Sequence, residues 1–108
     1  MQFDIDMKSE YKMLFNSARK ILLEDYNLKE TKKDRITTYS DDTGGICHMR
    51  TMKYGIDIGF LKGARMKDEY GLLTGSGKVM RVLPISELNV TQVQYYVDQA
   101  IMINAKKQ

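Results

Sequence analysis

The chain has 108 residues, of which 43% are hydrophobic and 29% charged, with 17 Lys and Arg against 14 Asp and Glu. A chain of this length builds one domain around one core, and no apolar run approaches the roughly 20 residues needed to span a bilayer. The charge of +3 is interspersed, with only the segment from Lys53 to Arg81 leaning basic and no long tract to grip nucleic acid.

Met1-Gln2-Phe3-Asp4-Ile5-Asp6 lacks the basic start and apolar block of a secretory signal, and the single Cys47 excludes an intramolecular disulfide. A cytoplasmic location is expected, with neither a membrane nor a nucleic acid as partner. Tyr11, Leu14, Phe15, Ala18, Ile21 and Leu22 recur at helical spacing and predict an amphipathic helix, with Asp6 or Ser9 as the cap. Ile36 to Tyr39 then reads as a strand, and Asp41-Asp42-Thr43-Gly44-Gly45 as the turn that ends it.

Ile46 to Met52 and Tyr54 to Leu61 predict an antiparallel pair turning near Lys53, with Tyr54, Ile56, Ile58 and Phe60 on the buried face. Met80 to Ile85 is a last strand, placed at the sheet edge because Pro84 has no amide to donate. Val90, Val93, Val97, Ala100, Ile101 and Asn104 form one stripe of a closing helix. Asn89 is its cap, Gln92 can reach back, and Lys106-Lys107 suit its negative end. The expected architecture is α+β: a single domain, 1–108, with a mainly antiparallel sheet and the two helices on one face.

Gly75-Ser76-Gly77-Lys78 invites comparison with the phosphate loop of nucleotide hydrolases. That motif requires Gly where this chain has Leu72 and Ser or Thr where it has Val79, and it requires a helix afterwards, so nucleotide hydrolysis is excluded. A weaker function remains open to the segment. Gly63, Gly75 and Gly77 can turn backbone amides toward an anion, and Lys62, Arg65, Lys78 and Arg81 can add charge. Alternatively Gly63, Gly71, Gly75 and Gly77 only permit turns, with Leu72 and Leu73 plugging the core and the basic side chains solvated.

Cys47 and His48 are adjacent and fall on opposite strand faces, so they cannot act as nucleophile and base together. Cys47 shares a face with Met49 as a buried thiol, and His48 lies with Ile46 and Met52. An enzyme would have to recruit Tyr39, His48, Asp57 and Lys78, and none is expected. Zinc lacks ligands. A hard cation has Asp4, Asp6 and Glu10, Asp41 with Asp42, or Asp68 with Glu69 as oxygen donors, unless these are ordinary caps and solvated carboxylates. The eight methionines read as core filler, and of Tyr95-Tyr96 one ring points to the sheet while Tyr95 faces outward as a partner contact.

Ile58-Gly59-Phe60-Leu61-Lys62-Gly63-Ala64, followed by Gly71-Leu72-Leu73-Thr74-Gly75-Ser76-Gly77-Lys78-Val79-Met80-Arg81, resembles the signature of the YdhG-like family, a domain of unknown function. With Thr38-Tyr39 and both helices, the resemblance extends over most of the chain and implies terminal helices around a sheet. Some bacterial members are described as frataxin-like iron chaperones, which implies iron donation for cluster or haem assembly. Family members carry an aromatic residue and a proline in the strand where this chain has Arg35-Ile36-Thr37, and often a His where it has Gly55. The expected function is a non-enzymatic binding domain without a cofactor. Its anionic ligand or protein partner lies at residues 59–81, against Lys62, Gly63, Gly75, Gly77, Lys78 and Arg81. The alternative is the iron chaperone.

Overall fold

A computed structural model describes residues 1–106. Two helices open the chain, α1 (Gln2–Lys8) and α2 (Lys12–Lys20), and α2 runs into a π-helical turn at Ile21–Asp25. Five strands follow, β1 (Lys29–Lys32), β2 (Thr37–Asp41), β3 (Gly44–Met52), β4 (Gly55–Phe60) and β5 (Arg81–Ile85), with a 3-10 turn at Gly63–Arg65 before the last. α3 (Val90–Ala105) ends the described chain. The strands form one antiparallel sheet in the order β1-β2-β3-β4-β5, each paired with its neighbour in sequence.

Register decides what each face presents. Tyr39, Cys47 and Phe60 form one cross-strand row, and Met49, Ile58 and Leu83 the next. These rows are buried beneath Phe15, Ala18 and Leu22 of the N-terminal helical segment and Val93, Tyr96 and Val97 of α3. Each large apolar side chain so buried contributes about 1.5–3 kcal/mol, so the period-2 strands and period-3.6 helices close on a single core. The opposite rows, Thr38-His48-Gly59-Val82 and Arg50-Asp57-Pro84, form the sheet's uncovered side.

A bulge interrupts the alternation. Tyr39 opposes Cys47 but Ser40 opposes Gly45, so Ile46 is the extra residue and both Ile46 and Cys47 are buried. Ile46 therefore belongs to the core and does not share the open face with His48. Tyr54 is a second correction: it lies in the β3–β4 turn, 45% exposed, outside the alternating run that buries Ile56, Ile58 and Phe60. The methionines are a third, since Met49 is buried but Met1, Met13, Met80 and Met102 are exposed.

The helix predicted from Tyr11 to Leu22 is α2 with its π-helical turn, and a further helix, α1, precedes it. Ser9 breaks the chain between α1 and α2, its Oγ accepting from the Tyr11 amide at 3.0 Å, but the N-cap position of α2 is Tyr11 and no side chain caps that helix, so neither Asp6 nor Ser9 is the cap. Asp6 is buried within α1 and accepts from the Thr51 amide at 2.9 Å, Thr51 Oγ1 at 2.7 Å and Gln2 Nε2 at 2.9 Å, which pins α1 to β3. β1 is also unexpected. Lys-Glu-Thr-Lys has little strand propensity, but Glu30 accepts from Arg19 Nε at 2.6 Å, Arg19 Nη2 at 2.8 Å and the Tyr39 hydroxyl at 2.9 Å. Tertiary contacts thus override a weak local preference.

α3 begins where predicted, the Gln92 amide donating to Asn89 Oδ1 at 3.0 Å. Its buried Asn104 donates to Thr43 Oγ1 at 3.1 Å and the Gly45 carbonyl at 3.0 Å, fastening the helix end to the β2–β3 turn. Of the basic tail, Lys106 directly follows α3 and Lys107 lies outside the described residues. Among the described residues no helix is long and apolar enough to cross a membrane.

Candidate functional site: a glycine and arginine clasp beside β5

The segment from Gly59 to Arg81 folds as a closed loop. After the 3-10 turn, the Ala64 amide donates to the Val79 carbonyl at 2.9 Å, joining the two ends of the excursion. Thr74 and Val82 then exchange backbone hydrogen bonds at 2.7 and 2.9 Å, so the returning chain covers part of the outer edge of β5. β5 is the last strand, as Pro84 predicts, yet its edge is partly guarded.

Arg81 fastens the loop from within. Its Nη1 donates to the Gly77 carbonyl and, at 2.7 Å, to the Met80 carbonyl. Gly63 is buried against the same residue: a Cβ there would stand 2.6 Å from Arg81 Cβ and 2.8 Å from its backbone nitrogen. Gly75, at φ +112°, takes the left-handed turn that brings the loop back within contact of the Arg81 side chain. Gly63→Ala is expected to lower stability by about 2 kcal/mol, read as a shift in the urea midpoint.

Gly63, Gly75, Gly77 and Arg81 are therefore brought together, in a clasp whose carbonyls receive the guanidinium. Lys62 is half-buried and engaged in the fold. Lys78 is exposed, and its side chain makes no hydrogen bond or ion pair among the described residues. Arg65 and Lys67 are exposed with it. The same segment also exposes the apolar side chains Tyr70, Leu72, Val79 and Met80, with Val79 at 56%.

The middle of the loop is stapled to α3 by residues that sequence reasoning did not select for this purpose. Asp68 accepts from the Leu72 amide at 3.0 Å, the Leu73 amide at 3.2 Å and the Tyr96 hydroxyl. Desolvation alone would raise its pKa, but the hydrogen bonds from Tyr96 and from the Leu72, Leu73 and Gly71 amides outweigh it and hold the carboxyl below its usual value. Gln99 takes the Lys67 amide at 2.8 Å and returns a bond to its carbonyl at 3.1 Å, and the Glu69 amide donates to the Tyr95 hydroxyl at 3.2 Å. Tyr95 packs edge-on against Tyr70 and Tyr96, with ring centroids 5.1 and 4.9 Å away. It is a half-buried staple, which corrects the expectation of an outward contact. The adjacent Tyr95-Tyr96 pair was the visible signal for this anchorage.

The other candidates are dispersed. Tyr39 lies on the helix-covered face, while His48 and Asp57 lie on the open face and Lys78 in the loop. His48 rests its ring over Gly59, where a Cβ would overlap the imidazole. Its pKa is lowered by burial and then by Arg50, against the opposing pull of Asp57. Asp57 accepts a hydrogen bond from the Tyr54 hydroxyl. Cys47 is fully buried, and burial pushes its thiol up to about 12. In the native protein it is expected to resist a thiol-specific disulfide reagent, with full reaction only in denaturant; fast native labelling would contradict this burial.

Among the described residues no three of His, Cys, Asp and Glu are grouped to hold a metal ion. Asp6 and Asp68 are committed to Thr51 and Tyr96 as above, and Asp41 Oδ1 accepts from the Thr43 amide at 2.8 Å. Comparison of the chain with family models, curated proteins and solved structures finds no match. The fold itself defines a small α+β domain with one helix-covered face and a clasp at the end of its sheet.

Proposed function

We propose that this is a non-enzymatic binding domain that receives an acidic segment of a partner protein along the clasp, at residues 59–81. The observation that carries this reading is where the charges end up. Arg81 Nη1 is turned onto the carbonyls of Gly77 and Met80, whereas Arg65, Lys67 and Lys78 remain exposed on a segment that also exposes Tyr70, Leu72, Val79 and Met80. Exposed cations interleaved with apolar side chains match a partner carrying carboxylates and apolar anchors. A cleft of about 130 Å³ beside the loop, lined in part by Leu72, Leu83, Pro84 and Val93, has room for one apolar side chain.

The test is an amide chemical-shift titration with a synthetic peptide of alternating glutamate and leucine. Saturable shifts are expected at residues 65–67, 72 and 78–80. Inorganic phosphate serves as the second titrant: if it saturates the same amides and the peptide does not, the ligand is a small anion. Shifts confined to other surfaces would remove the clasp from consideration.

A further inference from the structure

At the far end of the sheet from the clasp, a cleft of about 500 Å³ opens where β1 begins and β2 ends. Its volume lies within the roughly 300–1,000 Å³ common to small-molecule sites. Three local departures from regular backbone shape it: the π-helical turn that delivers Tyr26, the left-handed Asn27 at φ 54°, and the bulge beside Ser40. Its walls are fixed by bonds to α3. The Tyr26 hydroxyl donates to Asp98 Oδ1 at 2.7 Å, and Thr43 Oγ1 accepts from Asn104 at 3.1 Å.

The charges around this cleft are opposite in sign and do not neutralise one another. Lys29 lines it together with Asp41 and Asp42, yet no ion pair joins them, and the exposed Lys29 and Asp42 side chains make no hydrogen bond among the described residues. A cleft with an unpaired cation and an unpaired carboxylate on its walls is complementary to a molecule bearing both charges. Ser40 and Tyr26, one polar and one aromatic, line the same cleft.

We propose that this cleft binds a small zwitterion of the amino acid or short peptide class, its carboxylate on Lys29 and its ammonium on Asp42. This is independent of the clasp. The test is an amide-shift titration of the intact chain with alanyl-alanine, its N-acetylated form and its C-amidated form. The free dipeptide is expected to give saturable shifts at Lys29 and Ser40 to Thr43. Each blocked form, lacking one charge, should bind about ten-fold more weakly. Lys29→Ala should abolish residual binding of the acetylated form, and Asp42→Ala that of the amidated form, with amides of β4 and α3 unmoved as the fold control. No saturable shift at millimolar dipeptide, equal response to all three forms, or indifference to both substitutions would overturn the proposal.

Discussion

Gly55→Ala is expected to lower the stability of the domain by about 3 kcal/mol or more, or to prevent folding at physiological temperature. Gly55 opens β4 at φ +150°, a backbone conformation that side chains rarely adopt. A Cβ there would overlap the Ile85 carbonyl oxygen and stand 2.9 Å from Ser86 Cα, both backbone atoms with no rotamer to give way. Relief requires moving the end of β5, and Ile56 opposite Ile85 would lose its register. Gly44→Ala is the natural control. Gly44 has φ +120° but nothing within 4 Å of an added Cβ, so only backbone strain of about 1 kcal/mol is expected. Urea denaturation of both variants gives the comparison, and equal losses would show that the β4–β5 contact is not what forbids a side chain.

Glu30→Ala is the second large effect, at about 2–3 kcal/mol. The Glu30 side chain is 12% exposed and receives three hydrogen bonds, two from Arg19 and one from the hydroxyl of the fully buried Tyr39. Removing it strands a guanidinium and a buried hydroxyl together, and releases β1 from α2. Glu30→Gln isolates the charge. The Arg19 guanidinium, ahead of the opposing effect of burial and with help from Tyr39, holds the Glu30 carboxyl below its ordinary 4.5. A depressed folded-state pKa gives stability that is present above the unfolded value and lost as pH falls through the folded one. The gap between wild type and Glu30→Gln should therefore be constant near neutrality and narrow below about pH 4.5. A gap that is flat with pH down to the acid transition would mean that the ion pair contributes nothing.

These two positions also show what the sequence could convey. Ile56, Ile58 and Phe60 declare a buried strand by alternation alone, and Asn89 declares the start of α3, because both signals are local. Glu30 in Lys-Glu-Thr-Lys has no such signal: β1 exists because Arg19, eleven residues earlier, and Tyr39, nine later, both reach its carboxylate. Asp6 is similar, being legible as a helix cap but in fact bonded to Thr51 across the domain. The bulge that buries both Ile46 and Cys47 leaves no composition signal either, and strict alternation puts Ile46 on the wrong side.

For the clasp, glycine and basic residues mark a segment that folds as one closed loop, but not the direction of its charges. Arg81 follows the loop in sequence and reads as a ligand group, and in the fold its Nη1 lies on the carbonyls of Gly77 and Met80. Arg65, Lys67 and Lys78 are left outside by the same geometry. The clasp supplies a structural reason for the spacing of the segment's glycines: Gly63 must pass the Arg81 backbone, and Gly75 must turn the chain back toward it.

The measurement that bears most directly on the proposed function is the affinity of the glutamate-leucine peptide for wild type and for the double variant Lys67→Glu, Lys78→Glu, by calorimetry at two ionic strengths. Both side chains are exposed, so the fold should survive. The expected result is binding to wild type that weakens with salt, reduced about ten-fold or more in the double variant, with a lysine-leucine peptide showing the reverse preference. Equal affinity of wild type and variant for the acidic peptide would contradict the assignment of the clasp as the place where a partner is received.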